Sequence, residues 1–372
     1  MPAPRVFLDA GGRAPVTLRT REAFLAGLAD GWADPRRLTT ESRRARAVLD
    51  GAREAIADAL GAEPSQLHFV SGPHTAFDHA IAGIHRARRG RDRIVATSIE
   101  RRAVLDAAEH TAPGLVDRVP VDRDGHADAE AFTRLVSDPA TSLSLVQHAN
   151  HEIGTVQRLE ELVDATAAGG VPLVVDASAS IGHVDAPVHW DALMADPADW
   201  GAPLGIGVIA LRPRTRWLEA WPGDGLAPGG VSIPLALAAA VALQERLETL
   251  AATRERLHSL TARIRDALAA LEGVTIVGDP DERLPHLVTA AFMYLDGEPV
   301  VSRLDREGFA VGSGSACGSD TFEPSAVLAA MGALTHGNLR LGLPVDVQDA
   351  DVERFLAALP RVLEDVRRTM QG

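Results

Sequence analysis

One cysteine and no lysine limit the chemistry open to this 372-residue chain. Cys317 stands in GSGSACGSD, with Gly312, Gly314 and Gly318 around it. A thiolate works as a nucleophile or sulfur acceptor only where it can reach a partner, and glycines give a loop that reach. A lone cysteine is more often a small buried hydrophobe, but this glycine-rich setting favours a presented thiol. A single cysteine also excludes an intramolecular disulfide and a thiolate-rich metal centre. All 37 basic residues are arginines, so no side-chain amine exists to form a Schiff base. The wealth of Ala, Arg, Gly, Asp and Pro fits a GC-rich genome that thins lysine out. An enzyme that needs a lysine keeps it, so the total absence also bears on mechanism.

Other candidates sit at the ends of apolar runs. Asp176 closes PLVVDA (172–177), where it either caps the next turn or faces a ligand. Arg340, in NLRLGLP (338–344), reads by itself as a structural ion-pair partner. His148, His151 and His183 lie near strand ends but lack the spacing of a helical ligand pair. They are expected to be surface or supporting histidines, and no metal is expected.

These residues need a scaffold, and the pattern supplies one. Residues 18–60 read as helical, with Thr40 or Ser42 as N-cap and Gly61 as C-cap. Short apolar strands then alternate with helices: LHFV (67–70), RIVAT (93–97), LSLVQHA (143–149), PLVVDA and GVIAL (207–211). This is the signature of an α/β chain with a mostly parallel sheet covered by helices on both faces. A long helix pair follows over 234–272. The tail reads as a smaller α+β domain, with VTIVG, LVTAAFMYL, the helix EPVVSRLDREG, the strand FAVGSG and a final helix from Asp351. The expected division is 16–240 for the large domain and 1–15 plus 241–372 for the small one. Ligands in such sheets sit at the carboxyl ends of strands, which selects loops 71–78, 98–102, 147–155, 176–183 and 198–206.

The net charge of −14 argues against nucleic acid as a partner. The one basic run, RARRGRDR (86–93), reads as a solvated helix end and turn. No apolar run approaches the roughly 20 residues of a membrane span, and the first residues lack a signal peptide's apolar segment. A soluble, cytoplasmic protein is expected.

Several segments, in order, resemble the cysteine desulfurases of the class-V aminotransferase group, which are fold-type-I pyridoxal phosphate enzymes. They are FLDAGGRAP (7–15), QHANHEIGTVQ (147–157), VVDASASIGHVDAPV (174–188), GAPLGIGVIALRPR (201–214), LDREGFAVGSGSACGSDTFEPSAVLAAMG (304–332) and NLRLGLP. The resemblance implies a fold-type-I sheet. It implies Cys317 as the persulfide-forming cysteine, Asp176 as partner of the cofactor's pyridine nitrogen, and Arg340 and Asn150 as substrate-binding residues. Glu152 is retained as well, and Ser232 falls among the cofactor-binding positions.

The chain departs from that pattern at the cofactor itself. Ala198 and Asp199 stand where the family has His-Lys, so Asp199 marks the missing lysine. Gly72-Pro73-His74-Thr75 replaces the phosphate turn Gly-Ala-Thr-Glu, and Pro73 removes a backbone donor. Arg101 replaces the ring-stacking histidine, and Ala179 the glutamine that contacts the ring hydroxyl. His74, Arg101, Ala179, Asp176 and Ser232 are therefore read as vestigial. No covalently bound cofactor is expected, and pyridoxal phosphate enters only as a non-covalent ligand.

Four roles fit this pattern. The chain is a partner subunit of a lysine-bearing desulfurase paralogue, a carrier taking persulfide sulfur on Cys317, a non-catalytic scaffold, or a weak enzyme holding the cofactor non-covalently. A homodimer or heterodimer is expected, with a sulfur-acceptor protein as a further partner.

Overall fold

The computed structural model describes residues 4–219, 230–313, 325–335 and 337–371. The chain enters through a short strand, β1 (Val6–Phe7), and two helices, α1 (Leu18–Asp30) and α2 (Thr40–Ala59). On α2, Ala45, Leu49, Ala52 and Ile56 recur every three or four residues and are all buried, which is the period of one helix face. Burying a side chain such as Ile56 contributes roughly 1.5–3 kcal/mol. The cap of α2 is Thr39, not Thr40 or Ser42: its Oγ1 accepts from the Ser42 N–H at 3.2 Å. Ser42 supplies the donor that needs capping. At the other end Leu60 is the C-cap, and Gly61 follows it with φ +60°.

Then come β2 (Leu67–Val70), α3 (Pro73–Ala87), β3 (Arg93–Thr97), α4 (Arg102–Thr111), β4 (Val116–Val119), α5 (Ala129–Val136), β5 (Thr141–Gln147), α6 (Glu160–Gly169), β6 (Leu173–Asp176), β7 (Ala192–Ala195) and β8 (Gly207–Leu211). Their strands form one sheet in the order β2-β8-β7-β6-β5-β3-β4. Only β8 runs against the others. Alternate residues face opposite sides. Val95, Val146, Val175 and Leu193 pack with α2, α5, α6 and α7 (Ile233–Glu248). Ile94, Leu145, Val174 and Met194 pack with α3 and α4. Helices therefore cover both faces. Sequence reading missed β4, α5 and β7: β4 carries Asp117 and Arg118 at the sheet edge, and β7 is a four-residue run, ALMA, too short to show a period.

After α7, α8 (Leu250–Ala269) leads to β9 (Val274–Val277), β10 (Leu287–Phe292), α9 (Gly297–Arg306), β11 (Phe309–Ala310), α10 (Ala326–Ala330), β12 (Asn338–Gly342) and α11 (Asp349–Gln371). Here an antiparallel sheet, β12-β10-β9, packs with Val6 and Leu8 and with residues of α8, α9 and α11 in a second core. Helix α7 runs through the expected boundary at 240, and its Ala242 and Leu243 belong to the large core. The strand expected over FAVGSG is limited to β11, which pairs in parallel with β1. Among the described residues, no helix is long and apolar enough to cross a membrane.

Candidate active site

The carboxyl ends of β3, β5, β6 and β7 meet at one edge of the sheet. Gln147 lies opposite Asp176 and Asp176 opposite Met194. Arg101, in the loop after β3, reaches across this edge. Its Nε donates to Asp176 Oδ2 at 3.3 Å and its Nη2 to Asp199 Oδ2 at 2.7 Å. Asp199 comes from a 3-10 turn after β7, Pro197–Trp200. All three side chains are largely or fully buried. Asp176 also accepts, at Oδ1, from the backbone and hydroxyl of Ser178. It therefore holds its own turn, as the capping reading expected, and one arm of the ion triad.

The triad carries two carboxylates for one guanidinium. Burial works to lower the Arg101 pKa, but Asp199 and Asp176 outweigh burial and hold it above its ordinary value. Burial pushes Asp199 up to about 7 against the pull of Arg101, and its Oδ1 has no partner among the described residues. Glu100 is next in the chain and is also buried. Its Oε1 accepts from Thr97 Oγ1 and the Gln147 N–H, while Oε2 has no partner among the described residues. Burial pushes it up to about 8.

A raised carboxyl pKa makes the fold hold a proton that the unfolded chain releases. Stability from Glu100 and Asp199 is thus full below about pH 4 and is lost as pH rises through about 7–8. Buried histidines act oppositely. Burial lowers His148 to about 4 and His183 to about 3, so their contribution is lost as pH falls below about 6.5. Glu100→Gln is expected to remove about half of the alkaline loss, on the order of a few kcal/mol, leaving the part carried by Asp199. Denaturant unfolding of both proteins between about pH 5 and 8.5 checks this, and parallel slopes would refute it.

Arg340 sits in a second, adjoining cluster. It is buried, its Nη2 donates to Asp9 Oδ1 at 3.2 Å, and its Nε has no partner among the described residues. Its backbone pairs with Gly312 in both directions. A Cβ at Gly312 would lie 2.5 Å from Asp9 Oδ1, and one at Gly342 only 2.1 Å from the Gly11 nitrogen. Only glycine permits this approach. Glu152 accepts from the Ser325 hydroxyl. Gly312 and Ser325 thus fix two points of chain on either side of Cys317, which itself lies outside the described residues with Gly314 and Gly318. His151 stands between the clusters, and burial, Arg101 and Arg340 all keep it well below its ordinary pKa.

Several residues depart from expectation. Asn150 is fully buried and fully committed. Its Nδ2 donates to the Ile99 carbonyl and Gln147 Oε1, and its Oδ1 accepts from the Glu152 and Ile153 N–H groups. It shapes the loop and has nothing left for a substrate. His148 and His183 are not surface residues. Both are buried, and His183 stacks on His286 with ring centroids 3.8 Å apart. Ala179 packs with Ala149, Val184 and Leu287. His74 is exposed in the first turn of α3, which opens on Pro73. Ser232 is exposed at the N-cap of α7 and makes no capping bond. Sequence reading did not single out Glu100, Asp9 or Ser325; Asp9 had a signal, since it stands two residues before the Gly11-Gly12 pair. His126, Asp279 and Glu282 could gather round a metal. However, His126 Nε2 is already 2.8 Å from Asp279 Oδ2, and Glu282 accepts from Arg158.

Residues 6–226 and 229–355 match the family model for aminotransferase class-V. The chain is 32% identical over 375 residues to the cysteine desulfurase IscS 1 of Archaeoglobus fulgidus, covering 97% of each chain. It is 31% identical over 381 residues to a cysteine desulfurase of Cereibacter sphaeroides, covering 98% of this chain and 97% of that one. The solved structure of a NifS-like protein superposes with a TM-score of 0.89, covering 97% of this chain and 99% of the other, at 24% identity.

Proposed function

Because this chain belongs to the aminotransferase class-V family, in its cysteine desulfurase group, we propose a sulfur-metabolism protein with a closed cofactor cleft that transfers persulfide sulfur through Cys317. The fold is the fold-type-I architecture expected of the family.

The ion triad carries this reading. In the family pattern Asp176 faces the cofactor ring and a lysine stands at position 199. In this chain Arg101 links Asp176 to Asp199 directly. The residues do not fit pyridoxal phosphate. No side-chain amine can form its Schiff base, Asp176 Oδ2 is engaged, and Pro73 offers no N–H at the start of α3. Ala179 has no hydrogen-bonding group for the ring.

Sulfur transfer needs none of these contacts. The Cys317 thiolate attacks the outer sulfur of a donor persulfide, the S–S bond breaks, and the donor leaves as a thiolate. One sulfur moves, and no outside oxidant or reductant is required. A lysine-bearing paralogue would supply that persulfide in the cytoplasm, as subunit or as transient partner. Leu18 and Leu25 on α1, and Trp32 beyond it, recur every seven residues and are strongly exposed, which supports an apolar docking stripe.

Two measurements test the proposal. After pyridoxal phosphate is added and the protein desalted, no cofactor absorption is expected to remain, and a retained band would overturn the closed cleft. With an active cysteine desulfurase and sulfur-labelled cysteine, label is expected on this chain. An unlabelled chain would overturn the transfer role.

A further inference from the structure

A cavity of about 310 Å³ opens where the start of α1 meets the α7–α8 junction. Its walls include Thr17, His183, Trp200, Arg246, Thr253 and Leu257. Arg246 is only 7% exposed. Its Nε donates to the Trp200 carbonyl at 3.2 Å, and its Nη groups, which make no hydrogen bond among the described residues, are open to the cavity. The other charges on the wall are engaged. Glu248 pairs with Arg19, Glu245 accepts from Thr17 Oγ1 at 2.6 Å, and Arg254 pairs with Asp185. Glu245 and Asp346 act on Arg246 only through space.

A buried guanidinium is costly unless its donors and its charge are met. Its planar fork matches two oxygens on one atom. Trp200 and Leu257 would flank an apolar body, and the volume suits a small molecule. We propose that this cavity binds a small oxyanion, a carboxylate or a sulfur oxyanion, on the Arg246 guanidinium. The site is independent of Cys317 and of the function proposed above. Its wall reaches the triad: Trp200 follows Asp199, and His183 Nε2 lies 3.2 Å from the Asp199 carbonyl oxygen.

The test is calorimetric titration of the full chain with sodium butyrate, sodium sulfate and sodium thiosulfate, at constant ionic strength set with chloride. Saturable one-to-one binding of at least one anion is expected. Butyrate alone would mark an organic acid site, and sulfate or thiosulfate alone an inorganic one. Arg246→Met is expected to weaken binding roughly ten- to a hundredfold, while Arg102→Gln, exposed on α4 and outside this cavity, leaves it close to wild type. Thr253→Phe, at a half-buried position on the wall, fills the cavity with Arg246 intact and is expected to abolish binding even if Arg246→Met fails to fold. No saturable binding in the wild type, or unchanged binding in Arg246→Met or Thr253→Phe, would overturn the proposal.

Discussion

Replacing Arg101 by alanine is expected to destabilise the protein by about 3–5 kcal/mol near neutral pH. The reason is the charge it leaves behind. Asp176 and Asp199 are 4% and 2% exposed at the side chain, and without Arg101 neither has a cation in reach among the described residues. A buried carboxylate without a partner costs more than the pair was worth, because desolvation is no longer offset. The effect is expected to shrink in acid, since Asp199, already raised to about 7, can then fold as the neutral acid. The double variant Arg101→Ala with Asp199→Asn is expected to recover part of the loss, with a coupling of about 0.5–3 kcal/mol. Urea unfolding of the wild type, both single variants and the double variant measures this. A cost for Arg101→Ala below about 1 kcal/mol, the range of an exposed ion pair, would mean that the triad does not hold the cleft closed.

Sulfur uptake is expected to fall to background in Cys317→Ser. Serine keeps the size of the side chain but not the thiolate, and its alcohol does not ionise near neutral pH. The chain has no other cysteine, so no second acceptor can mask the effect. Label bound to the wild type should be released by a thiol reductant, because a persulfide is reduced to a thiol and sulfide. Label that persists in Cys317→Ser would show non-specific trapping of sulfur. A variant that loses the label yet keeps the protein's role in cells would favour the scaffold reading. The relevant comparison is Arg101→Ala: under the proposal it loses stability but still accepts sulfur while folded, since the triad plays no part in the transfer.

Much of this protein is written locally in its sequence. The alternation of short apolar runs with helical periods fixed the α/β class, because a strand buried on both faces must be apolar throughout and a covering helix must repeat every three or four residues. The absence of lysine excluded a Schiff base without any structure. Ordered segments such as QHANHEIGTVQ and NLRLGLP carried the family. Short or polar-edged elements escaped, β4 and β7 among them, because four residues give too little period to read.

What the sequence could not decide depends on contacts between distant residues. Arg101 lies 75 positions from Asp176 and 98 from Asp199, and nothing in its local setting says that it bridges them. Asn150 matched a substrate-binding motif, yet its four hydrogen bonds are spent on its own loop and on the Ile99 carbonyl of the loop after β3. His183 and Arg246 lie in ordinary segments, and only the packing of α7 against the loop after β6 buries them together. Residue type and order settle what chemistry is available, because bonds and charges belong to side chains. Tertiary structure settles which of those groups are already paired, because burial and partnership arise only when the chain closes on itself.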